Sequence, residues 1–168
     1  FYGDPNGLYD SVENGEWDYD MLARVSSDVY QDLNNDGKID RDDRLGTVLC
    51  WNDDIMSLLF CSGARITERD KEGIPYIVMN SERTMNVISD LFTLAKKSDG
   101  IFYGDKEESI EAGLNSAKFV SGTSLFMFGQ FTTAELLREM TDDYGIVPIP
   151  KYNKDQENYF STVYEVMR

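Results

Sequence analysis

The chain has 168 residues, 41% of them hydrophobic and 28% charged, the balance of a globular domain with one core that buries roughly 70% of its unfolded surface. Lys and Arg number 16 against 31 Asp and Glu, a net charge of −15, and that field repels nucleic acid and anionic lipid surfaces. Histidine is absent, which removes the commonest general base and transition-metal ligand, and with them zinc chemistry and histidine-based triads.

No apolar run is long enough to cross a bilayer, and no basic-then-apolar signal stretch opens the chain. It starts at Phe1, which reads as the interior of a longer protein. The first strong pattern has Met21, Leu22, Val25 and Val29 on one helical face, with Asp18 placed as N-cap. After the loop described below, Thr47 to Trp51 is β-branched and apolar and predicts a buried strand. Asp53 or Asp54 can cap a short helix through Leu59 that stops before Ser62-Gly63. Cys50 and Cys61 lack any metal or redox spacing and read as two buried thiols.

Thr67 to Pro75 reads as a loop or hairpin tip and Tyr76-Ile77-Val78 as a short strand. Asn80 or Ser81 opens a helix with Met85, Ile88, Leu91, Phe92 and Ala95 on one face, ending at Lys96, Lys97 and Gly100. Ile110, Leu114, Ala117 and Phe119 suggest a weaker helix. Thr123 to Phe128, free of charge, predicts a central strand. Thr132 to Glu135 is a capping box that starts a helix with Leu136, Leu137 and Met140 inside. Tyr144 to Pro150 must be extended, because proline disfavours helix for itself and for the residue before it. Helices alternating with strands predict an α/β fold, a single domain over 1–168 with a mixed sheet flanked by helices.

The most specific motif is the twelve-residue loop 32–43. Asp32, Asn34, Asp36, Asp40 and Asp43 put oxygen side chains at positions one, three, five, nine and twelve. The carbonyl of Lys38 falls at position seven and Gly37 at the turn. This is the EF-hand-like spacing that wraps a hard cation in oxygens, so Ca²⁺ is the expected cofactor. A helix precedes the loop and a strand follows it, so its expected role is structural, not signalling. Asp43 is one methylene shorter than the usual glutamate, and the expected dissociation constant is about 10⁻⁴ to 10⁻³ M. A solvated Asn/Asp/Gly turn is the bland alternative.

In open α/β sheets ligands collect beyond the carboxyl ends of the strands. Two places there pair an aromatic ring with an amide: Trp51 with Asn52, and Gln130 with Phe131. A flat ring face and a bifunctional hydrogen-bonding group suit a sugar, although an aromatic at a strand end also serves simple packing. Asp53, Asp54, Asp142 and Asp143 could be proposed as paired catalytic carboxylates. With no base, nucleophile and oxyanion donor to assemble around them, no catalytic residue and no enzyme activity is expected.

Four stretches in order carry a family resemblance: Asn14 to Asp20, Asp32 to Leu45, Phe119 to Phe126, and Tyr144 to Tyr152 followed by Gln156 and Tyr159. The chain resembles the extracellular solute-binding proteins of bacterial ABC importers, specifically the carbohydrate-binding lipoproteins of Gram-positive bacteria. The resemblance implies one lobe of a type II periplasmic-binding-protein-like fold, with 148–168 crossing toward a second lobe. It also implies a monomer that binds an oligosaccharide or other small solute and delivers it to a membrane ABC permease. The location implied is extracellular, with a lipid anchor on an N-terminus outside this segment. Two positions depart from the family pattern: Phe131 stands where a tryptophan is frequent, and Thr123 where a basic residue is common. Competing functions are a calcium-dependent, dockerin-like interaction module and a fragment of a secreted glycoside hydrolase.

Overall fold

A computed structural model describes residues 4, 6–104 and 113–163, apart from the side chains of Trp51 and Asn52. After α1 (Gly7–Glu13), helix α2 (Tyr19–Val29) starts where expected: Asp18 is extended, 3% exposed, and accepts the Met21 N–H at 2.9 Å. Strand β1 (Leu45–Leu49) is wholly buried and leads into α3 (Trp51–Cys61). The hairpin β2 (Thr67–Arg69) and β3 (Pro75–Ile77) follows, then α4 (Glu82–Lys97) and β4 (Ile101–Tyr103). Helix α5 (Leu114–Val120), β5 (Ser124–Met127) and a 3-10 turn (Phe131–Glu135) come last. No helix among the described residues is long and apolar enough to cross a membrane.

Strands β4, β1 and β5 form a parallel sheet in that order, and the antiparallel component is the separate β2–β3 hairpin. Helices flank the sheet, so the fold is α/β. The main core joins Leu22 and Val25 of α2, Leu58 and Leu59 of α3, and Val87, Leu91 and Leu94 of α4 to Leu49 and Ile101 of the sheet. A smaller cluster packs Leu45 and Val48 with Leu114, Ile39 of the acidic loop and Tyr30.

Two glycines let α2 lie directly on the sheet. A Cβ at Gly46 would stand 2.0 Å from Ser26 Cα, and one at Gly100 would stand 2.1 Å from Ser26 O. The Gly46 and Thr47 N–H groups both donate to Gly100 O, and the Ser26 and Thr47 hydroxyls are 2.9 Å apart. The C-terminal extended segment docks beside the start of α2. Lys151 N–H donates to Trp17 O, Tyr19 N–H to Lys151 O, and the Trp17 indole to Pro148 O at 2.9 Å. Gln156 holds the end of α3 by donating to Cys61 O at 2.9 Å.

Several expectations are corrected. Strand β5 is an edge of the three-stranded sheet and β1 is central; an uncharged run does not set strand order, and in β5 only Ser124 is buried while Leu125 is 41% exposed. Trp51 opens α3, because the Asp54 carboxylate accepts the Cys50 N–H at 2.7 Å and starts the helix earlier. Helix α4 buries Thr84, Val87, Leu91, Leu94 and Ala95, leaving Met85 55%, Ile88 39% and Phe92 60% exposed. The buried face is the one packed against α3 and β4; at its start Ser81 accepts the Thr84 N–H and bonds its hydroxyl. The capping box at Thr132 to Glu135 makes only a 3-10 turn with no side-chain cap. Leu137 is buried and Met140 half-buried as expected, but Leu136 is 68% exposed, so the segment has too little buried apolar face to propagate a helix. Cys50 is half-buried and only Cys61 fully buried; both are free thiols. Ile110 lies outside the described residues.

Candidate metal loop and ligand rim

The loop is closed at its base by an antiparallel bridge in which Gln31 and Arg44 exchange both backbone hydrogen bonds, each at 3.0 Å. Inside it, oxygen side chains take up the backbone N–H groups one after another. Asp32 accepts from Asn35 at 2.6 Å and from Gly37 at 2.9 Å. Asn34 accepts from Asp36 at 3.0 Å, Asp36 from Lys38 at 2.8 Å, and Asp40 from Asp42 at 2.8 Å. Asn35 at φ 59° and Gly37 at φ 74° make the left-handed steps that turn the chain.

Asp43 behaves differently from the other loop acids, which are exposed or half-buried. It is 0% exposed, accepting the Leu33 N–H on one oxygen and the Asp40 N–H on the other, each at 3.1 Å. The Tyr30 hydroxyl stands 3.2 Å from that second oxygen and 3.1 Å from the Lys38 carbonyl. Position twelve thus closes the loop on position two and position nine.

Each carboxylate or amide oxygen that accepts one N–H keeps a second lone-pair direction. The donor set, all oxygen and mostly anionic, therefore suits a hard divalent cation. Asp32, Asn34, Asp36, Asp40, Asp43 and the Lys38 carbonyl would hold it. Among the described residues, no three acidic, thiol or imidazole side chains are already drawn together as a finished cage.

Lys118 and Tyr30 were not singled out from the sequence. Lys118, on α5 and 8% exposed, donates to Arg41 O at 2.9 Å and Asp43 O at 2.6 Å. Burial pulls its ammonium below the usual lysine range, opposed by Asp42, Asp43 and Asp40. The available signal was a lone lysine amid the otherwise uncharged helix Leu114–Val120.

The second region lies at the carboxyl edge of the sheet. Trp51 and Asn52 form the first turn of α3 directly after β1, and Gln130 and Phe131 follow β5. Because β1 and β5 are neighbouring parallel strands, with Val48 opposite Met127, the backbone segments 51–52 and 130–131 both follow the same edge of the sheet. Phe131 is 84% exposed, and the Gln130 amide oxygen accepts from Thr132 at 3.4 Å. Asn115 donates from α5 to Phe128 O at 3.5 Å. Two shallow depressions, one lined by Arg65, Thr67, Glu68, Arg69 and Pro75 and the other by Glu82, Arg83, Asn86, Tyr152 and Asn153, include none of these rim residues.

Behind the rim, Asp54 is 8% exposed and burial pushes its carboxyl up to about 7. The Cys50 thiol is pushed up to about 12, first by burial and then by the charge of Asp54, so it remains protonated at neutral pH. Asp142 and Asp143 are exposed. No family model matches the chain, and neither a curated protein nor a solved structure matches it.

Proposed function

We propose that the chain is the scaffold of one lobe of an extracellular solute-binding protein. In this reading it captures an oligosaccharide or other small solute at the rim formed by Trp51, Asn52, Gln130 and Phe131. A structural calcium ion in the 32–43 loop stiffens the lobe from behind. The observation that supports this most is that segments 51–52 and 130–131 both follow the carboxyl ends of neighbouring parallel strands, with Phe131 84% exposed. A ring so bare of protein contacts has its face free for the C–H surface of a sugar. Delivery to a membrane permease, a lipid anchor and a second lobe enter through the family resemblance.

The test is calorimetric titration of the chain with neutral and acidic oligosaccharides, in parallel with the Phe131→Ala variant. Heat that saturates with a sugar and vanishes in the variant, with the melting temperature unchanged, is the expected outcome. Saturable binding to peptides or chelated metals and to no carbohydrate would overturn the substrate class.

A further inference from the structure

Lys118 does a job that the proposed ion loop does not require. A buried ammonium is tolerated only where neighbouring groups compensate it. Its compensators are the carbonyls of Arg41 and Asp43, at 2.9 and 2.6 Å, together with the carboxylates of Asp42, Asp43 and Asp40. Asp40 and Asp43 are also the donors at positions nine and twelve. The same acids would therefore face two cations, one fixed to the chain and one from solution.

We propose that Lys118 is the built-in counter-cation of the loop: it pins the loop exit when no ion is bound and, by repulsion, sets how tightly a divalent cation is taken up. This rests on the calcium reading of the loop. Charge and anchoring act in opposite directions here. Removing a positive charge beside the acids favours an incoming cation, whereas freeing the Arg41 and Asp43 carbonyls would loosen the loop and disfavour it.

Three variants separate the two effects: Lys118→Arg keeps the charge, Lys118→Gln keeps a donor without charge, and Lys118→Met keeps neither. Calcium chloride is titrated into each full chain by calorimetry at low ionic strength, and thermal melts are recorded in excess chelator. The Gln variant is expected to bind about fivefold tighter than the unmodified chain or more, the Met variant less tightly than the Gln variant because it has lost the anchor as well, and the Arg variant within about twofold of the unmodified chain. The advantage of the Gln variant shrinks at high salt. In chelator the Met variant melts lowest. Should the Met variant fail to fold, the Gln and Arg variants decide. A Gln variant that binds calcium no tighter than an unmodified chain that does bind it overturns the counter-cation alone. If neither the unmodified chain nor the Gln variant takes up calcium, the loop reading falls and this inference falls with it.

Discussion

Asp54 offers the sharpest test of the electrostatics. Its carboxyl rises from an ordinary 3.8 to about 7 because burial penalises the charge; the Cys50 N–H opposes the rise, and Asp53 adds to it. In the unfolded chain the group ionises near pH 4, while the folded chain keeps the proton until about 7. Between those values the folded state binds the extra proton, so this group's contribution to stability is fullest below pH 4 and is lost as pH rises through 7. A shift of about 3 units at about 1.4 kcal/mol per unit sets a ceiling of about 4 kcal/mol. Asp54→Asn keeps an oxygen for the Cys50 N–H and removes the charge. Urea unfolding of both chains from pH 4 to pH 8 is expected to show no difference at the acid end and a gain for the variant of about 2 to 4 kcal/mol above pH 7. Titrating groups that do not interact with Asp54 cancel in the difference. A gap that does not vary with pH, or a variant less stable at pH 8, would refute the burial argument.

Gly46→Ala places a methyl 2.0 Å from Ser26 Cα, and because the obstacle is backbone the expected loss is about 3 kcal/mol or more, read as a lower urea midpoint. Ser26→Gly should not rescue it. Calcium is expected to raise the melting temperature and chelator to remove about 0.4 to 1.4 kcal/mol at about 1 mM calcium, with Asp32→Ala or Asp36→Ala abolishing the response in calorimetric scans. Trp17→Phe strands the Pro148 carbonyl that its indole now satisfies at 2.9 Å; a loss of about 1 to 2 kcal/mol is expected in chemical denaturation.

What could be read in advance was local. Asp18 before an amphipathic run, Ser81 before another, and an unbroken apolar stretch at β1 each carry their cause within a few residues. The oxygen spacing of 32–43 belongs to the same class, and the structure adds the N–H groups those oxygens accept. What escaped depends on partners distant in sequence. The buried face of α4 follows from packing against α3 and β4, so Met85, Ile88 and Phe92 looked interior on periodicity alone. The edge position of β5 is a property of strand order, which no single strand encodes. Lys118 reaches its carbonyls across 75 and 77 residues, and Tyr30 matters only because the loop folds back over it. At the rim, strand ends could be placed, but not that Phe131 would stand so open.

The Gln31–Arg44 bridge has an engineering consequence. Both ends of the twelve-residue segment are stapled before any ion arrives, one to α2 and the other to β1, and α2 is seated against the sheet through Gly46 and Gly100. The segment is therefore a cassette: another twelve-residue graft, such as a lanthanide-chelating sequence for luminescence or paramagnetic tagging, would inherit a fixed frame and report orientation without disturbing the opposite edge.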